Sequence, residues 1–251
     1  MPTFDSMGVP IYFEEKGAGP SVVLVHGFAA DLNANWKVPG WIDLLAQSWR
    51  VIAMDCRGHG RSGKPYDPKA YSIEARALDV IRLLDHLNLE RTLLMGYSMG
   101  ARISLEVVLG YPTRIRAVVL GGIGLGLVGA EDARGREQIV KALLAPSIEN
   151  APPTASAFRE FAEANRNDLK ALAACFAGDR PAVDRAVLAS IRVPTMVVIG
   201  SKDTLVGRAD ELAAGITGAE LVTLEGRDHL TAPASRLYKE SVLRFFAAAP
   251  A

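Results

Sequence analysis

The stretch RTLLMGYSMGARIS, residues 91–104, decides how the rest of the chain is read. Thr92–Gly96 is a short apolar run suited to a buried strand. Met99, Ile103 and Val107 share one face of a helix expected over 99–110. Between strand and helix stands Gly96-Tyr97-Ser98-Met99-Gly100, with a serine on the turn. The GxSxG pattern alone is weak, since chance supplies a match in about one chain in ten of this composition. Strand, turn and helix around it give the pattern its meaning. So tight a turn forces positive φ on the serine and brings strand and helix nearly into contact. The neighbours must then be small, as Gly96, Gly100 and Ala101 are. The helix N-terminus directs free N–H groups toward the Ser98 oxygen, where negative charge would develop.

Working outward, strands are expected at 2–6 and 10–15, with Met7-Gly8-Val9 as the turn. VVLVHGF (22–28) and RVIAMD (50–55) are continuous apolar runs, as in strands buried on both faces of a parallel sheet. Further strands are expected over 115–122, 193–200 and 219–226. Helices are expected over 40–48, 72–89, 207–214 and 234–248. Alternation of strand and helix is the signature of an α/β fold with helices on both faces of a parallel sheet. Residues 126–190 break it: helix-like pieces are separated by Pro146, Pro152-Pro153 and Pro181. The expected organisation is a core of residues 1–125 and 191–251, with 126–190 inserted as a small helical cap.

Composition limits the function. Hydrophobic residues make up 49% and charged residues 22%, with 28 Lys plus Arg against 28 Asp plus Glu. A zero formal charge and no basic stripe argue against nucleic-acid binding. The two cysteines, Cys56 and Cys175, form no CxxC pair and read as free thiols. No signal-peptide pattern opens the chain and no apolar run approaches the roughly 18 residues of a spanning helix. A cytoplasmic protein without membrane or nucleic-acid partners is expected, of unreadable oligomeric state.

A nucleophilic serine needs a base. Among the four histidines, His86 falls in the last turn of an amphipathic helix and His59 in the loop RGHGRSG. His26 ends a strand beside a glycine turn, where it is expected to hold that loop by hydrogen bonds. His229 follows the last expected strand, in GRDHLTAP, at the sheet end where ligands gather in open parallel sheets. It is the expected general base. Asp203, in VVIGSKDTLV, again follows a strand and is the expected partner of the imidazole. Asp228 is a sequence neighbour that rarely turns back on the next ring, Asp210 and Glu211 belong to a helix, and Asp55 is expected to tie down the 56–63 loop. The backbone N–H groups of Met99 and Phe28 are the candidate oxyanion donors. Phe28, Met99, Leu125, Leu127, Leu205, Val206 and Leu230 would give an apolar substrate wall, with Phe158, Phe161 and Phe176 completing it. Gly124-Leu125-Gly126-Leu127-Val128-Gly129 matches GxGxxG. However, Glu149, at the spacing of a ribose-binding acid, sits in the turn LAPSIENAPPT, so a flexible entry into the helical stretch is the expected role.

The order Ser98…Asp203…His229 with HGF (26–28), DCRGHGRSGKP (55–65), GYSMG, GSKD (200–203) and GRDHL (226–230) resembles the α/β-hydrolase superfamily. It looks most like bacterial serine esterase-like members with a helical cap. The resemblance covers nearly the whole chain except the cap. It implies an eight-stranded, mostly parallel sheet, a Ser-His-Asp triad, no cofactor and no metal, and it supports Phe28 and Met99 as donors. Ser98 sets the chain apart from members with an Asp nucleophile, such as haloalkane dehalogenases and epoxide hydrolases. The expected activity is cleavage of small carboxylic esters with short or medium acyl chains. C–C bond hydrolysis, lactone hydrolysis, perhydrolysis and acyl transfer are alternatives on the same triad. A non-catalytic small-molecule binding protein is the alternative of another class.

Overall fold

A computed structural model describes residues 2–128 and 133–250. One eight-stranded sheet runs through it: β1 (Thr3–Ser6), β2 (Val9–Lys16), β3 (Ser21–Val25), β4 (Arg50–Met54), β5 (Thr92–Tyr97), β6 (Ile115–Gly121), β7 (Thr195–Gly200) and β8 (Glu220–Leu224). The spatial order is β1-β2-β4-β3-β5-β6-β7-β8. β1 is antiparallel to β2 and β2 to β4; every other neighbouring pair is parallel. The first hairpin is tighter than the sequence suggests. Its turn is Met7-Gly8 alone, at φ 58° and 79°, the two positive values of a type I′ turn, and Val9 already belongs to β2.

The helices are α1 (Trp41–Leu45), α2 (Ile73–His86), α3 (Met99–Gly110), α4 (Leu125–Val128), α5 (Ala133–Leu144), α6 (Pro153–Ala164), α7 (Leu169–Ala177), α8 (Arg185–Ala189), α9 (Ala209–Gly215) and α10 (Arg236–Ala247). The expected helix over 40–48 shrinks to α1, and a π-helical turn, Asn33–Lys37, precedes it. Ser72 caps α2 by accepting from Ala75 N, and Ser235 caps α10 by accepting from Tyr238 N.

Strand alternation sorts the core into two layers. Val23, Val25, Leu94, Val118, Leu120 and Val197 pack with α2, α3 and α9. Val22, Leu24, Leu93, Met95, Val119 and Val198 pack with α1 and α10. Period-two alternation with both faces apolar is the reason these strands read as unbroken hydrophobic runs. Between β6 and β7 the described residues form helices and no strand. α5, α6 and α7 share a separate apolar cluster built on Ile139, Ala142, Leu143, Ala155, Ala162 and Leu172, which also takes in Ala29.

Among the described residues no helix is long and apolar enough to cross a membrane, and no three His, Cys, Asp or Glu gather as a metal site.

Candidate active site

Ser98 stands at φ 53° between the end of β5 and the start of α3. Non-glycine residues rarely adopt this region, and such strain persists only where the surroundings enforce it. Here the flanking backbone enforces it. A Cβ on Gly96 would lie 2.2 Å from the Gly100 carbonyl oxygen, and one on Gly100 would lie 2.0 Å from the Val25 carbonyl oxygen. Ser98 N donates to Gly121 O at 2.8 Å, tying the turn to β6.

His229 and Asp203 come from loops after β8 and β7. The ring Nδ1 lies 2.6 Å from Asp203 Oδ2, and the Asp203 side chain is fully buried. With Nδ1 facing a carboxylate, Nε2 is the nitrogen left to accept a proton. Tyr97, beside the serine, donates its hydroxyl to the His229 carbonyl at 2.6 Å. Burial pushes the Tyr97 phenol well above its ordinary pKa, so it remains a donor. Asp228 is occupied elsewhere: its carboxylate accepts from Leu230 N, Thr231 N and the Thr231 hydroxyl. Glu211 pairs with Arg185 on the surface.

The loop after β3 faces the serine. Gly27 N donates to Asn35 Oδ1 at 2.8 Å, and His26 Nδ1 lies 2.7 Å from Gly27 O. Cys56 N donates to His26 Nε2 at 2.9 Å, so His26 is the neutral tautomer protonated on Nδ1. Burial holds its pKa below the usual histidine value, consistent with that tautomer. His59 is also buried, between the His26 and Phe28 rings at 5.2 and 5.6 Å, and its pKa is held well below the ordinary range by burial and by His26. Asp55 accepts from Leu32 N and Arg61 N, joining this loop to the 56–63 loop. His86 is exposed and stacks on Phe4.

A cleft of about 220 Å³ opens over these groups, lined by Ser98, His229, Tyr97, Gly27, Phe28, Asn35, Phe161 and Leu230, with Pro39, Pro233 and Ala234 toward one side. Of the expected apolar wall, Leu230 and Phe28 line it. Met99, Leu125 and Leu127 instead pack with the core layer under α2, α3 and α9, Val206 is buried, and Leu205 is 54% exposed. The reason lies in the glycines of the GxGxxG match. Gly126 N donates to Val206 O at 2.9 Å, and a Cβ on Gly124 would stand 1.7 Å from Gly207 O. Gly124 and Gly126 thus permit two backbone segments to touch, a packed junction where the sequence suggested a flexible one; Gly129 lies outside the described residues. Phe158 and Phe176 pack against the Phe28 ring at 5.8 and 5.1 Å, whereas Phe161 reaches the cleft.

The sequence reading missed Asn35, the Tyr97 hydroxyl contact and Asn167, whose Nδ2 donates to Ala29 O at 2.8 Å. Tyr97 carried a signal, since it adjoins the serine on the turn. The asparagines carried none, being polar residues in loops. Both cysteines are free and buried, and burial raises both thiol pKa values.

Serine at a strained strand–helix turn, an imidazole held by a buried carboxylate and the loop after β3 converge on one cleft over this sheet. Residues 20–133 match the model of the alpha/beta hydrolase fold family. The chain belongs to the α/β-hydrolase superfamily.

A hydrolase from Pseudomonas aeruginosa PA01 superposes at TM-score 0.84 with 28% identity, covering 98% of each chain. The enol-lactonase from Burkholderia xenovorans LB400 superposes at 0.80 with 25% identity, covering 98% of this chain and 100% of that one. The dihydrolipoyllysine-residue acetyltransferase component of the acetoin cleaving system of Pseudomonas putida is 33% identical over 211 residues, 78% of this chain and 55% of its own. Epoxide hydrolases are also among the curated relatives, and the first of these relatives are matched over only 20% to 55% of their own lengths.

Proposed function

We propose that this chain is a serine hydrolase that cleaves small, uncharged carboxylic esters through an acyl-enzyme. The observation that carries the reading is the 2.6 Å His229–Asp203 pair, opening onto the same cleft as Ser98 at φ 53°. In this reading Ser98 Oγ attacks the ester carbonyl carbon while His229 Nε2 takes its proton. Asp203 holds the imidazole in its tautomer and stabilises the cation that forms. The N–H groups of Phe28 and Met99 stabilise the tetrahedral oxyanion, Met99 with the help of the α3 N-terminus. His229 then protonates the leaving alcohol and activates the water that releases the acid.

Residues 126–190 act as a cap over the cleft in this reading, contributing Phe161. The cleft lining supports an uncharged substrate. Its described lining residues include no Lys, Arg, Asp or Glu, so a carboxylate-bearing substrate would find no ionic partner there. At about 220 Å³ it is smaller than the roughly 300–1,000 Å³ of drug-sized sites, which suits short acyl groups. A lactone is an internal ester and meets the same demands, and the full-length likeness to an enol-lactonase supports adding lactones to the substrate panel.

The test is turnover across p-nitrophenyl esters of increasing acyl length and a set of neutral lactones, with Ser98→Ala as the blank. Hydrolysis is expected to favour short chains, and Ser98→Ala is expected to lose at least about 10⁴-fold in kcat. A fluorophosphonate should label Ser98. Undiminished turnover by Ser98→Ala sinks the reading, and binding of esters without turnover by the wild type would favour a receptor.

A further inference from the structure

One helix outside the sheet touches the side chains of both expected oxyanion donors. α7 sets consecutive residues against them. Cys175 Sγ lies 3.9 Å from Met99 Sδ, and the Phe176 ring meets the Phe28 ring edge-on at 5.1 Å. The turn leading into α7 adds a third contact, the 2.8 Å hydrogen bond from Asn167 Nδ2 to Ala29 O.

Ala29 is the part of the oxyanion loop under most strain. It carries a Cβ at φ 56° and is fully buried. The bonds from the sheet side, from His26 and Asn35, end at Gly27 and do not reach it. Asn167 therefore fixes Ala29, just after Phe28, while His26 and Asn35 fix Gly27, just before it; further along, Asp55 accepts from Leu32 N. Asn167 is itself held: its backbone N–H donates to Ala162 O at 3.0 Å, at the close of α6.

α7 is in turn fixed to the core at both ends. At its start Asp168 accepts from Lys170 N and Ala171 N and receives the Tyr66 hydroxyl at 2.8 Å. Beyond its end Gly178 lies so close to Tyr71 that a Cβ would stand 2.4 Å from the Tyr71 carbonyl oxygen, and Ile73 N donates to Asp179 O at 2.9 Å. A helix pinned at both ends transmits the position of the core to whatever its middle touches.

We infer that Asn167 and α7 are positioning elements of the oxyanion hole, holding the Phe28 and Met99 amides in the geometry that the tetrahedral oxyanion requires. The helical cap then completes the catalytic geometry as well as enclosing the acyl group. The inference rests on the serine-hydrolase reading and on those two amides as donors. It adds a residue, Asn167, that touches no substrate and acts through Ala29.

The experiment compares wild type, Asn167→Ala and Asn167→Asp with p-nitrophenyl butyrate, counting competent sites by fluorophosphonate titration. Asp keeps the shape of Asn but presents no N–H to Ala29 O. Each variant is also titrated with a trifluoromethyl ketone. Ser98 Oγ adds to the carbonyl carbon of this inhibitor, the serine proton passes to His229, and the ketone oxygen becomes an oxyanion in the hole. Misplaced groups of this kind cost up to about a hundredfold. Both variants are expected to lose about tenfold or more in kcat per titrated site, with KM within about twofold and ketone affinity weakened in proportion to kcat. Phe176→Leu, which replaces the ring against Phe28 by a smaller apolar side chain without emptying the cluster, is expected to give a smaller loss of the same pattern. A merely structural role would lower the titrated fraction or the melting temperature and leave kcat per site and ketone affinity unchanged; that result overturns the inference. If Ser98→Ala is inactive while Asn167→Ala keeps full kcat per site, this inference alone fails. If Ser98→Ala stays active, the hydrolase reading fails with it.

Discussion

The two walls of the cleft are built by different physics. The serine wall is backbone against backbone: β5, α3 and the end of β3 approach until glycine is the only residue that fits at 96 and 100. The opposite wall, where Phe161 of α6 lines the cleft, is side chain against side chain: it belongs to the apolar cluster of α5 to α7, built of alanines, leucines and phenylalanines, with a hydrogen bond from Asn167 to the loop after β3. Backbone contacts of the first kind have no freedom to adjust, because neither partner has a rotamer to change. Aromatic contacts of the second kind can repack. The first wall is thus suited to fixing a nucleophile, the second to shaping a pocket.

Three tests sharpen that contrast, beginning with the largest expected effect. Asp203→Asn is expected to keep the fold and lower kcat by about 10⁴-fold, because the amide favours the wrong imidazole tautomer. Steady-state kinetics with p-nitrophenyl butyrate measure it, and a loss under about tenfold would remove Asp203 from its role. Gly100→Ala is expected to cost about 3 kcal/mol or more of stability, since its Cβ would overlap the Val25 carbonyl. Phe158→Leu in the helical cluster should cost only about 1 kcal/mol. Urea unfolding of both variants checks the pair, and equal costs would erase the distinction between the walls.

The third concerns pH. His26 and His59 are buried, and both are held neutral below the ordinary histidine range. The unfolded chain takes up these protons near pH 6.5 and the folded chain resists them, so stability is complete above that pH and falls as the pH drops below it. The slope is up to about 1.4 kcal/mol per pH unit for each ring. Urea midpoints between pH 8 and 5 measure it, and His59→Phe, which also removes a buried Nε2 with no hydrogen-bond partner among the described residues, is expected to flatten the slope.

Much of the serine wall was legible in the sequence because its constraints act locally. A tight strand–helix turn needs small residues at fixed offsets, so GYSMG records its own geometry. Strand ends are equally local, which is how Asp203 and His229 could be singled out; their 2.6 Å approach required the sheet to bring β7 and β8 side by side. The apolar wall of the pocket was not legible. Leu125 and Val206 look like any pocket residue in sequence, and only the junction of two glycine-bearing segments buries them away from the cleft. Asn35 and Asn167 were invisible for a related reason, since a loop asparagine acquires its meaning only from the carbonyl or amide it meets.

By itself, then, the sequence determined the alternating α/β order, the strained serine turn and the residue types of the proposed serine hydrolase site, because each depends on residues within a few positions. Tertiary structure decided which side chains face the cleft and which elements hold the loop after β3. Those choices depend on packing between segments more than a hundred residues apart, such as Asn167 and Ala29, which no local pattern encodes.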